Sequence, residues 1–113
     1  MNDIQSFILN HLNYYKKSKD KYDLNCVLDK LNLLLSGAPK NLKHDSIYYR
    51  QGQKECIEVI KEITGGKFEG YCIGNIIKYV YRYKYKHKDI YNQYIDIYKA
   101  KWYLEYLLKT LPS

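Results

Sequence analysis

Apolar residues recur every three or four positions along most of this chain, the spacing of helices that bury one face. Ile4, Phe7, Ile8, Leu12 and Tyr15 mark a first helix, with Asn2 or Asp3 as its cap. Lys16, Lys17 and Lys19 end it, where the helix dipole favours positive charge. Asp20 caps a second helix with a stripe of Leu24, Val27, Leu28, Leu31, Leu34 and Leu35. Ser36-Gly37-Ala38-Pro39 stops it: Gly37 is expected to supply a left-handed cap, and Pro39 cannot continue the helix. Residues 1–35 therefore read as a helical hairpin. A polar connection follows, then a third helix over about 53–64, with Cys56, Val59, Ile60 and Ile63 expected inside and Gly65-Gly66 at its end. The fourth helix opens near Phe68 and turns Ile73, Ile76, Ile77 and Val80 inward. After a turn at 84–89, a fifth helix runs from near Asp89 to about Lys109, with Ile90, Tyr94, Ile97, Leu104, Leu108 and Leu111 as its core face. No alternating segment is long enough for a strand, although 46–49 can extend. The pattern predicts an all-α domain of about five helices. The hairpin, residues 1–40, is expected to pack on a core spanning 41–113 or on a second copy.

The polar sides of the last three helices repeat one arrangement, with side chains at i, i+3 and i+7 on a common face. The third helix has Glu55, Glu58 and Glu62; the fourth has Asn75, Lys78 and Arg82, with Tyr71 one turn earlier; the fifth has Asp96, Lys99 and Tyr103. Each face alone reads as a solvated surface laced by weak ion pairs. If the faces converge, Lys78 and Arg82 can grip phosphate oxygens, one as a point charge and one as a fork. Asn75 offers a donor and an acceptor to a base or sugar. Gly74 leaves room for close approach. Glu58, Glu62 or Asp96 can hold Mg²⁺ through oxygen ligands. Tyr103, Tyr49 or Trp102 can stack on a base.

Composition narrows this further. The 113 residues carry 19 Lys plus Arg against 12 Asp plus Glu, a net charge of +7, which favours anionic partners. Fifteen tyrosines against two phenylalanines suit half-buried faces and ligand clefts, but they also fit an AT-rich coding bias. Three cysteines without CxxC spacing point to a reduced, cytoplasmic chain with packed thiols. Residues 1–10 do not read as a secretory signal, and no apolar run approaches membrane-spanning length.

Familiar motifs are missing. Gly66-Lys67-Phe68 lacks the hydroxyl residue and the upstream glycine of a P-loop. No Cys/His set has zinc spacing, and His11 and His44 read as structural. Glu55-Cys56-Ile57-Glu58 is an ExxE pair, but the next helix carries Asn75, Lys78 and Arg82 where all-α pyrophosphohydrolases place a second acidic pair.

One resemblance covers residues 48–108. Phe68, Gly70, Gly74-Asn75, Lys78-Tyr79 and Arg82, then Asp96, Lys99-Ala100 and Tyr103-Leu104, stand in the order of the small phage family labelled SaV-like. Some of its members are described as nucleotide kinases that act on deoxynucleoside monophosphates without a P-loop. The resemblance implies nucleotide or phosphate binding by Asn75, Lys78, Arg82 and Lys86, and the polar faces add Tyr103 and Tyr49 as aromatics for the base. It implies catalytic roles for Asp96, Lys99 and Glu58, with ATP and Mg²⁺ as co-reactants. The chain departs from the family in having Tyr48-Tyr49 in place of a His-Tyr pair, Glu58 in place of an Asp, a longer turn before Asp96, and forty extra residues at its start. The expected function is a phage nucleotide-binding protein, kinase or not. The alternatives are a counter-defence protein that sequesters a nucleotide or inhibits a host protein, and a nucleic-acid binder using the basic segment 82–88. A homo-oligomer in the bacterial cytoplasm is expected, with no membrane partner.

Overall fold

The computed structural model describes residues 1–40, 42 and 51–112. Helix α1 spans Asp3–Ser18, α2 Lys21–Leu35, α3 Gln51–Thr64, α4 Phe68–Lys86 and α5 Ile90–Thr110, with one 3₁₀ turn at Gly65–Lys67. Among the described residues there is no strand, so the fold is all-α and close to the expected number of helices. Segment 46–49 lies outside the described residues, as do His44 and Tyr49.

The helix ends follow local chemistry. Asn2 and Gln5 form a capping box at the start of α1: Gln5 N donates to Asn2 Oδ1 at 2.8 Å, and Asn2 N donates to Gln5 Oε1 at 2.9 Å. Lys19 closes α1 in the left-handed region at φ 58° and donates its N–H to Tyr15 O. Asp20 caps α2 by accepting from Tyr22 N at 2.9 Å. Gly37 is not the left-handed cap expected of it; the positive-φ glycine is Gly65, at φ 54° between α3 and α4. Gly37 matters for space instead, since a Cβ there would sit 3.2 Å from the Tyr94 hydroxyl. Asp89 caps α5, accepting from Asn92 N at 3.0 Å and from Asn92 Nδ2.

The Asp89 cap is pH-sensitive. Hydrogen bonds from the Asn92 side chain, then from its backbone, hold the Asp89 carboxyl below its ordinary range. A depressed folded-state value means the stabilisation is complete above the unfolded Asp range and disappears as pH falls through the lower value. The unfolding midpoints of wild type and Asp89→Ala should therefore differ at neutral pH and converge in acid. A gap that stays constant to pH 2 would contradict this.

α4 and α5 pack along most of their length. The α1–α2 hairpin closes the other side, α2 against α5 and α1 against α4. The shared core holds Ile8, Leu12, Leu24, Val27 and Leu31 from the hairpin and Ile76, Val80, Ile97, Leu104 and Leu107 from α4 and α5. Gln5 is buried in it and donates from Nε2 to Val80 O and Tyr81 O, both at 3.0 Å. His11 Nδ1 lies 2.9 Å from Asp23 Oδ1, joining the two arms of the hairpin.

α3 is attached more lightly. Ile57 is buried and Ile60 half-buried, but Val59 is 54% exposed, Ile63 80% exposed, and Cys56 also faces out. The inward face expected for this helix is thus rotated, with only Ile60 of the four expected residues in the core. Ile77 is also partly outside, at 37%, and Ile90 is 64% exposed because it is the first residue after the Asp89 cap. Tyr79, Tyr83 and Tyr103, which the apolar stripe omits, are buried.

The thiols follow their burial. Burial, then the Glu69 charge, pushes the Cys72 thiol up to about 12, so it stays protonated and poorly nucleophilic. Iodoacetamide at pH 8 should label exposed Cys56 well before Cys72, which reacts only after unfolding. Peptide mapping checks this, and rapid native labelling of Cys72 would contradict it.

Candidate functional site

α4 carries Tyr71, Asn75, Lys78, Tyr79 and Arg82 at helical spacing on the side that meets α5. The centre of the arrangement is the Tyr79 ring. Lys78 Nζ lies 4.8 Å from its centroid, Arg82 Cζ 5.2 Å, and Lys99 Nζ 5.6 Å, reaching across from α5. Tyr103 stacks against Tyr79 with centroids 6.2 Å apart and planes at 19°, and Tyr71 meets Tyr103 edge-on at 6.1 Å. Two of the cations expected to bind phosphate, Lys78 and Arg82, thus gather round one aromatic ring with Lys99, expected to be catalytic.

The electrostatics of this cluster are lopsided. A cation over an aromatic face gains about 0.5–1 kcal/mol when exposed. Cations that share one ring repel one another, the more so beside a buried ring where the effective dielectric falls. Among the described residues no carboxylate forms an ion pair with Lys78 or Arg82. Arg82 Nε is buried and has no hydrogen-bond partner among the described residues. A bound anion would supply the acceptor that Arg82 Nε lacks among the described residues.

One helical turn before Lys99, Asp96 is 1% exposed. His87 Nε2 sits 3.0 Å from Asp96 Oδ2, close enough for a charge contact, yet Oδ2 makes no hydrogen bond of good geometry among the described residues. His87 is itself fixed by the chain, since Gln93 Nε2 donates to its carbonyl at 2.8 Å. The sequence predicts a turn at 84–89, which contains His87, and gives no sign of this contact. No periodic signal marks it, because the pairing depends on how the 84–89 segment folds back. Nor does the sequence mark Tyr79 as the centre, although it marks Asn75 four residues before it and Lys78 beside it.

The remaining expected residues are dispersed. Asn75 Nδ2 donates to Tyr71 O at 3.0 Å, which commits its donor to its own helix. A Cβ at Gly74 would meet nothing within 4 Å, so space is open there. Lys86 is exposed in the last turn of α4, one turn beyond Arg82. Glu58 accepts from the Tyr106 hydroxyl, and burial followed by that bond pushes the hydroxyl up to about 12. Glu58 borders a cavity of about 410 Å³ with Trp102, Glu105, Tyr106 and Lys109, where Trp102 stacks on Tyr106 at 5.7 Å. Glu62 is exposed.

Among the described residues, Glu58 and Asp96 of the expected metal set lie apart. Glu58 sits against Tyr106 and Asp96 against His87. Ten residues of α5 separate Asp96 from Tyr106, about 15 Å along a helix axis. Among the described residues no group of three or more His, Cys, Asp or Glu can hold a metal ion. The physical reason is helix offset: α3 meets α5 near its C-terminal end, whereas Asp96 lies near the start. No helix among the described residues is long and apolar enough to cross a membrane.

Compared with known families, residues 43–105 match the model described as a protein of unknown function, DUF3310. The match takes in α3, α4 and most of α5, more than half of the chain, and leaves α1 and α2 outside it. No curated protein and no solved structure matches.

Proposed function

Because the chain belongs to the DUF3310 family, whose description assigns no activity, we propose that it binds a phosphorylated small molecule at the α4–α5 face around Tyr79. A nucleotide is the leading class. The observation that carries this reading is the convergence of Lys78, Arg82 and Lys99 on one ring, with Arg82 Nε lacking an acceptor among the described residues. Arg82 and Lys78 hold phosphate oxygens, Lys86 adds charge at the rim, and Tyr103 and Asn75 face the rest of the ligand. The resemblance to small phage proteins makes deoxynucleoside monophosphates and ATP the first ligands to try, with the cytoplasm of an infected bacterium as the setting.

Two versions follow from the same site. In the kinase version, Lys99 stabilises charge on the phosphoryl group in flight, and Asp96, held against His87, positions the acceptor, since phosphoryl transfer rests on positioning and electrostatics. In the binder version, the protein holds a nucleotide, including a host signal, without turning it over. The separation of Glu58 from Asp96 favours the binder, because the two carboxylates do not share one site. Thermal unfolding measured against a panel of nucleotides tests both, since a ligand that binds only the folded state raises the midpoint. Incubation with Mg²⁺, ATP and each deoxynucleoside monophosphate then separates them by whether a diphosphate appears. No midpoint shift with any nucleotide would reject the reading itself.

A further inference from the structure

Among the described residues two apolar surfaces stand open, and they match each other. The first is a groove of about 600 Å³ between α1 and α4. Leu9, Leu12, Ile73 and Ile77 form its floor, and Lys16 and Lys67 stand on its rim. The second is the outward stripe of α3, where Val59 and Ile63 lie one turn apart with Glu62 beside them, on the flank away from buried Ile57. An exposed isoleucine and valine on an amphipathic helix, facing away from their own core, mark a surface made to be covered.

We propose that the α1–α4 groove receives helix α3 of a second copy of this chain. The stripe of α3 is apolar with an acidic border, and the groove is apolar with a border made of the Lys19–Glu69 ion pair and of Lys16 and Lys67, which leave it net positive. Docking one in the other buries Val59 and Ile63 on the groove floor and brings Glu62 to Lys16 or Lys67. Neither lysine has an ion-pair partner among the described residues. Placed about a two-fold axis, each copy lends α3 to the other's groove, so the surfaces of both copies are covered in one closed pair with no free end.

The junction between the two surfaces supports this geometry. α3 runs through the 3₁₀ turn into α4, and Gly66 and Gly70 at that junction line the groove. A Cβ at either position would meet nothing within 4 Å inside the protomer. The fold of one copy therefore has no steric need for glycine at position 70, in the first turn of a helix, where glycine is unfavourable. Close approach of a partner helix gives it a use. The assembly would leave the Tyr79 cluster untouched, so it stands independently of the ligand reading above.

Analytical ultracentrifugation of the full chain over roughly 1 to 200 µM, which covers the micromolar, weak end of standard-size interfaces, tests the proposal. The wild type should sediment as a dimer, and Ile63→Asp as a monomer with unchanged far-ultraviolet circular dichroism. Glu62→Lys should weaken the dimer at least tenfold, as should the double change Lys16→Glu with Lys67→Glu, and combining all three should restore it. Gly70→Ala should weaken the dimer while raising the unfolding midpoint of the monomeric Ile63→Asp background, an effect no loss of folding can mimic. A monomeric wild type across the range would overturn the proposal, as would a dimer indifferent to Ile63→Asp, or charge changes that do not compensate.

Discussion

Gln5→Ala lowers the stability of the fold by roughly 2–4 kcal/mol, a large share of the 5–15 kcal/mol typical of a domain. The side chain serves two structures at once. Its Oε1 accepts from Asn2 N in the capping box that starts α1, and its Nε2 donates to the carbonyls of Val80 and Tyr81 in the middle of α4. Truncation leaves the Asn2 cap on the Gln5 backbone N–H but removes the reciprocal bond from Asn2 N and the two bonds to α4, each worth about 0.5–1.5 kcal/mol. It also leaves a cavity where the amide sat. Gln5→Glu keeps the cap acceptor but loses both donors and places a charge among carbonyls, so it should fare no better than alanine. Thermal unfolding followed by circular dichroism reads the effect: a drop of roughly 8–20 °C is expected for a chain of this size. A drop under about 2 °C would mean the two α4 contacts contribute nothing.

That residue also shows what periodicity reveals and what it hides. Asn2 with Gln5 three positions on is a capping signature readable from the letters alone. The bonds to Val80 and Tyr81 span 75 and 76 positions, and no local rule anticipates them. The stripes on α1 and α2 are legible because nearly every apolar residue in them has one destination, the core. On α3 the same logic finds an apolar face but cannot say what covers it. Cys56, Val59 and Ile63 sit on the periodic face yet turn away from the protomer, and Ile57, set against an acidic background, turns in. Tyrosine is the other source of error. Tyr79, Tyr83 and Tyr103 bury their rings although the hydroxyl makes them read as polar.

The candidate site divides in the same way. Lys78, Arg82 and Lys99 are legible as cations on facing stripes, and they come together because α4 and α5 are the most extensively packed pair in the structure. The carboxylates do not follow. Spacing along α3 and α5 says which side Glu58 and Asp96 occupy, but not how far the helices slide past one another, and a slide of a few turns parts them. His87 reaches Asp96 through an irregular turn for which sequence offers no geometry.

The site's own test is the larger of the functional effects expected. Arg82→Ala should weaken the binding of a stabilising nucleotide about ten- to hundredfold, the cost of losing a charge-assisted contact of roughly 1.5–3 kcal/mol. Without ligand, the same change should leave the unfolding midpoint level or raise it, because it relieves repulsion around Tyr79 and removes a buried donor that has no acceptor among the described residues. A residue with only a structural role would move the two measurements together. Arg82→Lys should recover part of the affinity but not all, since the ammonium keeps the charge and loses the fork. Isothermal titration at two salt concentrations gives the comparison, with a shallower salt dependence expected for Arg82→Ala than for wild type. Equal affinity in wild type and Arg82→Ala would remove the phosphate from this face of the protein, and with it the reason for gathering these cations on one ring.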